Sequence, residues 1–129
     1  MDGEIEPDEL IALLDREADV RIVDIRDERS FDRGHLPGSE SIPFPELTTR
    51  VAELEGTERI VTVCPHGIAS KQAAQLIGSY AGTADARVES LRGGIEGWTR
   101  EGGPLEATES DEADGGAEDD VDEGPDAPF

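Results

Sequence analysis

Chemistry in this chain starts at Cys64, its one cysteine. Cys64 ends a short apolar run (Ile60, Val61, Val63) and is followed by Pro65, His66, Gly67, Ile68, Ala69, Ser70 and Lys71. The apolar run reads as a strand, Pro65 to Gly67 as a tight loop, and the stretch from Ser70 as a helix carrying Ala73, Ala74, Leu76, Ile77 and Tyr80. A thiol at a strand-to-helix junction lies where backbone N–H groups converge and the helix dipole favours negative charge. That field raises the thiolate fraction, and the thiolate is the nucleophilic form. A loop curled round Cys64 would point N–H groups of residues 66 to 70 at its sulfur as charge-assisted donors. The plain alternative for a free cysteine is a small buried hydrophobe. Against it, Cys64 stands where the strand's apolar pattern stops and loop formers begin.

The neighbours leave roles open. His66, two residues on, either orients a reactant or faces water. Lys71 is the only lysine; it is a solvated helix residue or, beside the positive end of the helix, an anion contact. Ser70 is an N-cap, a contributor to the sulfur's surroundings, or both. Two histidines, one cysteine and dispersed carboxylates give no metal-ligand spacing.

Elements that would hold this loop follow in order. Glu4 to Glu6 reads as a short edge strand. Pro7, Asp8 and Glu9 open a helix with Leu10, Ile11, Leu13 and Leu14 on its apolar side, ending near Glu17. Val20 to Ile25 is a strand whose apolar positions suggest burial on both faces, as in a parallel sheet. Asp24 and Arg26 stand at its C-terminal end, the edge outside which open α/β sheets bind ligands; the plain alternative is a buried ion pair that fixes the adjoining loops. Asp27 to Arg33 forms a helical turn with Phe31 inward, and a short strand follows near Ser41. Pro45 to Leu54 is a helix, Val88 to Leu91 a strand, and Ile95 to Arg100 a last helix after the Gly93-Gly94 turn. Strands alternating with helices over short loops predict an α/β domain: a small central, mostly parallel β-sheet flanked by helices.

Composition divides the chain. Residues 1–105 form the domain; from Glu106 to Phe129 there are eleven Asp and Glu and no Lys or Arg, which predicts a disordered acidic tail. The formal net charge of −21 argues against nucleic acid or an anionic membrane surface as partner. Dense carboxylates with a single lysine suit a surface that works in high salt. Without a basic, apolar N-terminal leader, and with a single thiol, the expected setting is the reducing cytoplasm.

Read together, the landmarks resemble a single-domain rhodanese, of the rhodanese-like sulfurtransferase superfamily. They are Asp24-Ile25-Arg26, then Phe31 before Gly34-His35-Leu36-Pro37-Gly38, then Ser41-Ile42-Pro43, the Cys64 loop, and Leu91-Arg92-Gly93-Gly94-Ile95-Glu96-Gly97-Trp98. The resemblance covers about Glu4 to Leu105. It implies that Cys64 is a catalytic nucleophile taking a sulfane sulfur as a persulfide and passing it to cyanide, a thiol or a protein. Pro65 to Lys71 would line the substrate site, with Asp24 and Arg26 supporting it. It implies no metal or organic cofactor. The donor would be a small anion such as thiosulfate or a persulfide-bearing protein, and the chain would act as a monomer. Many loops of the family carry Arg where this chain has Ala69. Two other readings stay in view: a sulfur carrier or interaction module of the same fold, and a rhodanese-related cysteine phosphatase. The latter needs Arg six residues after the cysteine, where this chain has Ser70.

Overall fold

Apolar side chains on both sides of the inner strands demand cover on both faces of the sheet, and the computed structural model of the protein supplies it. The structure describes residues 3–108. Among them the strands are β1 (Glu4–Ile5), β2 (Arg21–Asp24), β3 (Glu40–Ser41), β4 (Arg59–Val63) and β5 (Arg87–Leu91). The helices are α1 (Pro7–Asp15), α2 (Glu28–Arg33), α3 (Leu47–Arg50), α4 (Ala69–Ser79) and α5 (Gly94–Arg100). The sheet runs β1-β5-β4-β2-β3 with every pairing parallel. The α/β class and parallel central sheet expected from the alternation are therefore present.

Strand alternation sorts the core into two layers. Val23, Ile25, Ile60, Cys64 and Val88 pack under α3 and α4 with Leu47, Val51, Leu54, Ala73, Ala74 and Ile77. Ile22, Val61, Val63 and Leu91 pack under α1 and α5 with Leu10, Leu13 and Trp98. Parallel strands covered on both faces read as nearly continuous apolar runs, which is the pattern of β2 and β4.

The helix expected over Pro45–Leu54 is broken up. Its middle is α3, flanked by 3-10 turns at Phe44–Glu46 and Val51–Leu54. Thr48, Thr49 and Val51 are β-branched and poor helix formers, and the Thr49 hydroxyl bonds back to the Glu46 carbonyl at 2.9 Å. Phe31 is half-buried rather than inward; it stacks on the His35 ring at 3.9 Å. The His35 Nδ1 lies 2.8 Å from the Phe31 carbonyl oxygen, so this histidine holds its own turn together.

Two polar ties hold the sheet's C-terminal edge and outer strand. Arg21 grips Glu40 with two bonds of 2.8 and 2.6 Å, fastening the two-residue β3 to β2; this pairing raises the Arg21 pKa. Arg26 holds the fully buried Asp24 through Nε and Nη2 and reaches the Gly34 carbonyl at 2.6 Å. At the far end, the Trp98 indole N–H donates to the Pro104 carbonyl at 2.7 Å, anchoring the turn after α5. Contacts run past the expected boundary at Leu105. Glu106 pairs with His35 in an antiparallel bridge, and Thr108 donates its amide and hydroxyl to Asp32 at 2.9 and 2.8 Å. The rest of the expected acidic tail lies outside the described residues.

Candidate active site

β4 delivers Cys64 to the C-terminal edge of the sheet, on the face covered by α4. The loop from Pro65 to Ile68 then turns the chain back so that α4 begins at Ala69. Cys64 is 2 % exposed. Three donors reach its sulfur: the Gly67 N–H at 3.0 Å, the Ser70 N–H at 3.4 Å and, when the sulfur is an anion, the Ser70 hydroxyl at 3.3 Å. The N–H cradle expected over residues 66 to 70 is thus built by Gly67 and Ser70.

Ser70 is not the N-cap. Helix α4 starts one residue earlier, its N-cap is Ile68, and no side chain caps it. The first turn of a helix leaves N–H groups without intrahelical acceptors. Here the Cys64 sulfur accepts the one from Ser70, so the thiol itself occupies the place of a capping oxygen. Ser70, relieved of that duty, is fully buried. Its hydroxyl lies 2.6 Å from that of Ser90, also fully buried, while its carbonyl accepts from Thr62 at 2.7 Å.

The loop is seated on the start of α5. The Ile95 N–H donates to the Cys64 carbonyl at 2.8 Å and the Glu96 N–H to the Pro65 carbonyl at 3.1 Å. This fit requires glycine. A Cβ on Gly94 would stand 2.2 Å from the Cys64 carbonyl oxygen and 2.7 Å from the backbone nitrogens of His66 and Gly67. A Cβ on Gly67 would stand 2.7 Å from the Gly93 nitrogen, and Gly67, Gly93 and Gly94 all have positive φ. Gly93-Gly94 was legible as a turn; its contact with the Cys64 loop is a tertiary fact that no local pattern announces.

Other expected site residues point elsewhere. His66 is exposed and places Nδ1 3.1 Å from Glu96 Oε1, not against the sulfur. Lys71 Nζ lies 3.6 Å from Glu4 Oε2 on β1. Pro65 lends its carbonyl to α5, Ala69 is half-buried and brings no donor on its side chain, and Ile68 is 74 % exposed on the rim of the loop. Asp24 pairs in register with Val63, whose side chain joins the α1 and α5 layer, whereas Cys64 joins the opposite one. Parity across the pleat therefore turns Asp24 away from the sulfur. Asp24 and Arg26 bond to each other, to the Arg26 amide and to Gly34, and neither is hydrogen-bonded to the loop. Ser90, which touches the site through Ser70, escaped the sequence reading. Its only signal is register: it lies opposite Thr62 and shares that residue's face with Cys64.

A parallel sheet with a cysteine held by the following loop and helix at its C-terminal edge defines a rhodanese-type α/β domain. The sequence profile of the rhodanese-like domain family matches residues 6–101, and the chain belongs to that family. It is 40 % identical over 88 residues to thiosulfate sulfurtransferase GlpE of Pseudoalteromonas translucida, covering 68 % of this chain and 80 % of the relative. GlpE of Shewanella oneidensis is 39 % identical over 79 residues, covering 61 % of this chain and 75 % of the relative. The solution structure of a rhodanese-like domain from an Anabaena protein superposes with a TM-score of 0.74 at 27 % identity, over 92 % of this chain and 89 % of that one. Among the described residues no helix is long and apolar enough to cross a membrane.

Proposed function

We propose that the protein is a sulfurtransferase working through a persulfide on Cys64. The observation that carries this reading is the convergence of the Gly67 and Ser70 N–H groups on one buried sulfur, with the Ser70 hydroxyl oxygen 3.3 Å away and able to donate once the sulfur is an anion. Such donors are charge-assisted when the sulfur is an anion. In the first half-reaction the thiolate attacks the sulfane sulfur of the donor. A new S–S bond forms, the donor's S–S bond breaks, and the leaving group departs with the bonding pair: sulfite from thiosulfate, or a thiolate from a protein persulfide. In the second, cyanide or a thiol attacks the outer sulfur and the Cys64 thiolate is returned. No net redox partner is required, and the chemistry asks nothing of a metal or organic cofactor.

The donor that best suits the site is a thiol-borne persulfide. Ala69 offers no cation, Lys71 is drawn to Glu4 and His66 to Glu96. Among the described residues no guanidinium is hydrogen-bonded to the loop, so a dianionic donor meets backbone and hydroxyl donors only. A sulfur-carrying protein needs no such clamp, and the exposed Ile68 gives it an apolar foothold beside Cys64. A phosphatase is disfavoured because phosphate dianion binding calls for a bidentate guanidinium at residue 70.

Intact mass of the wild type and Cys64→Ser, taken before and after exposure to thiosulfate or to a persulfide-bearing protein, tests the reading. The wild type alone gains one sulfur atom, and cyanide removes it as thiocyanate. A wild type that gains no sulfur from either donor overturns the proposal. A gain that Cys64→Ser shares removes Cys64 from it.

A further inference from the structure

We infer that Ser90, at the buried end of a two-hydroxyl chain, is a positioning residue that holds Cys64 in its anionic form. The inference rests on the reading of Cys64 as the sulfur nucleophile and on the number of protons the buried line can hold. Ser90, Ser70 and Cys64 form a line with contacts of 2.6 Å between the hydroxyls and 3.3 Å from Ser70 Oγ to the sulfur. Ser70 and Ser90 are fully buried and Cys64 nearly so, so water is not at hand to take up a spare proton. Among the described residues the Ser90 hydroxyl has no other partner.

With Cys64 as a thiol, the line holds three protons, on the sulfur and both oxygens, for two contacts. Whichever way the hydroxyls turn, one buried proton is left without an acceptor. With Cys64 as a thiolate there are two protons for two contacts. Ser90 donates to Ser70, Ser70 donates to the sulfur, and no group is left over. A Cys64 whose sulfur is bonded to a second sulfur carries no proton there either, so the loaded form keeps the same match. The chain is polarised in one direction, and each bond strengthens the next.

Register makes this placement robust. Ser90 lies opposite Thr62 on the α4 face of the sheet, and Thr62 fixes the other side of Ser70 by donating to its carbonyl. Ser90 does not approach the sulfur itself. Its effect passes through Ser70, which sets it apart from the groups that touch the reacting atom.

The test is the pH profile of Cys64 alkylation by iodoacetamide, measured on the full chain as wild type, Ser90→Ala and Ser90→Thr. This readout needs no sulfur donor, so it succeeds or fails independently of the transfer reaction. Ser90→Ala is expected to alkylate about three- to tenfold more slowly near pH 7, with its inflection displaced to higher pH and its alkaline plateau unchanged. Ser90→Thr, which keeps the hydroxyl, is expected to restore the wild-type profile. Superimposable profiles for Ser90→Ala and wild type overturn the inference, as does an equal loss at every pH, the mark of a packing role. Should Ser90→Ala fail to fold, the Ser90 hydroxyl proton is followed by NMR in the wild type. It is expected to shift with the inflection seen in alkylation, and a resonance indifferent to pH overturns the inference.

Discussion

At residue 69 the chain carries a methyl group at the position where many loops of its family carry a guanidinium. Replacing it tests what the loop lacks. Ala69→Arg is expected to lower KM for thiosulfate about tenfold with a smaller change in kcat, since a fork of N–H donors adds binding to the anion before any bond is made. Steady-state kinetics with thiosulfate and with a persulfide donor check this; equal gains for both would show that charge recognition is not the difference. Residue identities spoke clearly where chemistry depends on type. Cys64 in a Pro/Gly loop marked a thiol held by backbone N–H groups, and Ser70 marked a polar neighbour. They were silent where it depends on direction. His66 and Lys71 sit beside the thiol in sequence, yet Glu96 and Glu4, distant in sequence, claim their side chains. Ser90 looked like an unremarkable polar residue in an apolar strand until the pairing with Thr62 placed it on the α4 side.

Elements act on the site through backbone geometry. The N-terminal turn of α5 holds two carbonyls of the Cys64 loop, and glycine at 94 lets it come close enough to do so. Gly94→Ala is expected to displace the loop and lower the transfer rate by about 100-fold, the usual cost of misplacing reacting atoms by an ångström. Single-turnover sulfur transfer checks it, with circular dichroism confirming that the fold persists. The Asp24–Arg26 pair belongs at this scale too. Arg26→Ala leaves a fully buried carboxylate uncompensated and is expected to cost about 3 kcal/mol in urea unfolding, whereas an exposed pair such as Arg50–Glu53 would cost a fraction of that. Strand and helix identities followed well from apolar patterning, because burial on both faces of a parallel sheet writes itself into β2 and β4. Boundaries followed less well. The start of α4 depends on a sulfur acceptor in place of a capping side chain, and the interruption of α3 depends on the summed reluctance of β-branched residues.

For the whole molecule, charge and length decide the remaining questions. Most cations of the described chain are engaged by carboxylates, among them Arg21 with Glu40, Arg59 with Glu89 and Arg92 with Glu4. The formal net charge of −21 nonetheless leaves a large surplus of negative charge. Screening relieves such self-repulsion. The thermal unfolding midpoint is therefore expected to climb as salt rises from low ionic strength, and a flat response would sink the high-salt reading. A chain ended after Thr108 is expected to match the full chain in stability at high salt. One ended after Leu105 loses the bonds of Glu106 to His35 and of Thr108 to Asp32, and is expected to be less stable by about 1–3 kcal/mol.

The sulfur's place among the free amides of α4 couples reaction state to local order. Anything that changes the acceptor strength of Sγ changes how firmly the helix start and the loop are closed. Loading, alkylation or oxidation of Cys64 should each leave its own amide-exchange rate at Gly67 and Ser70. Two backbone protons would then record the chemical state of the sulfur, with no label on the sulfur itself.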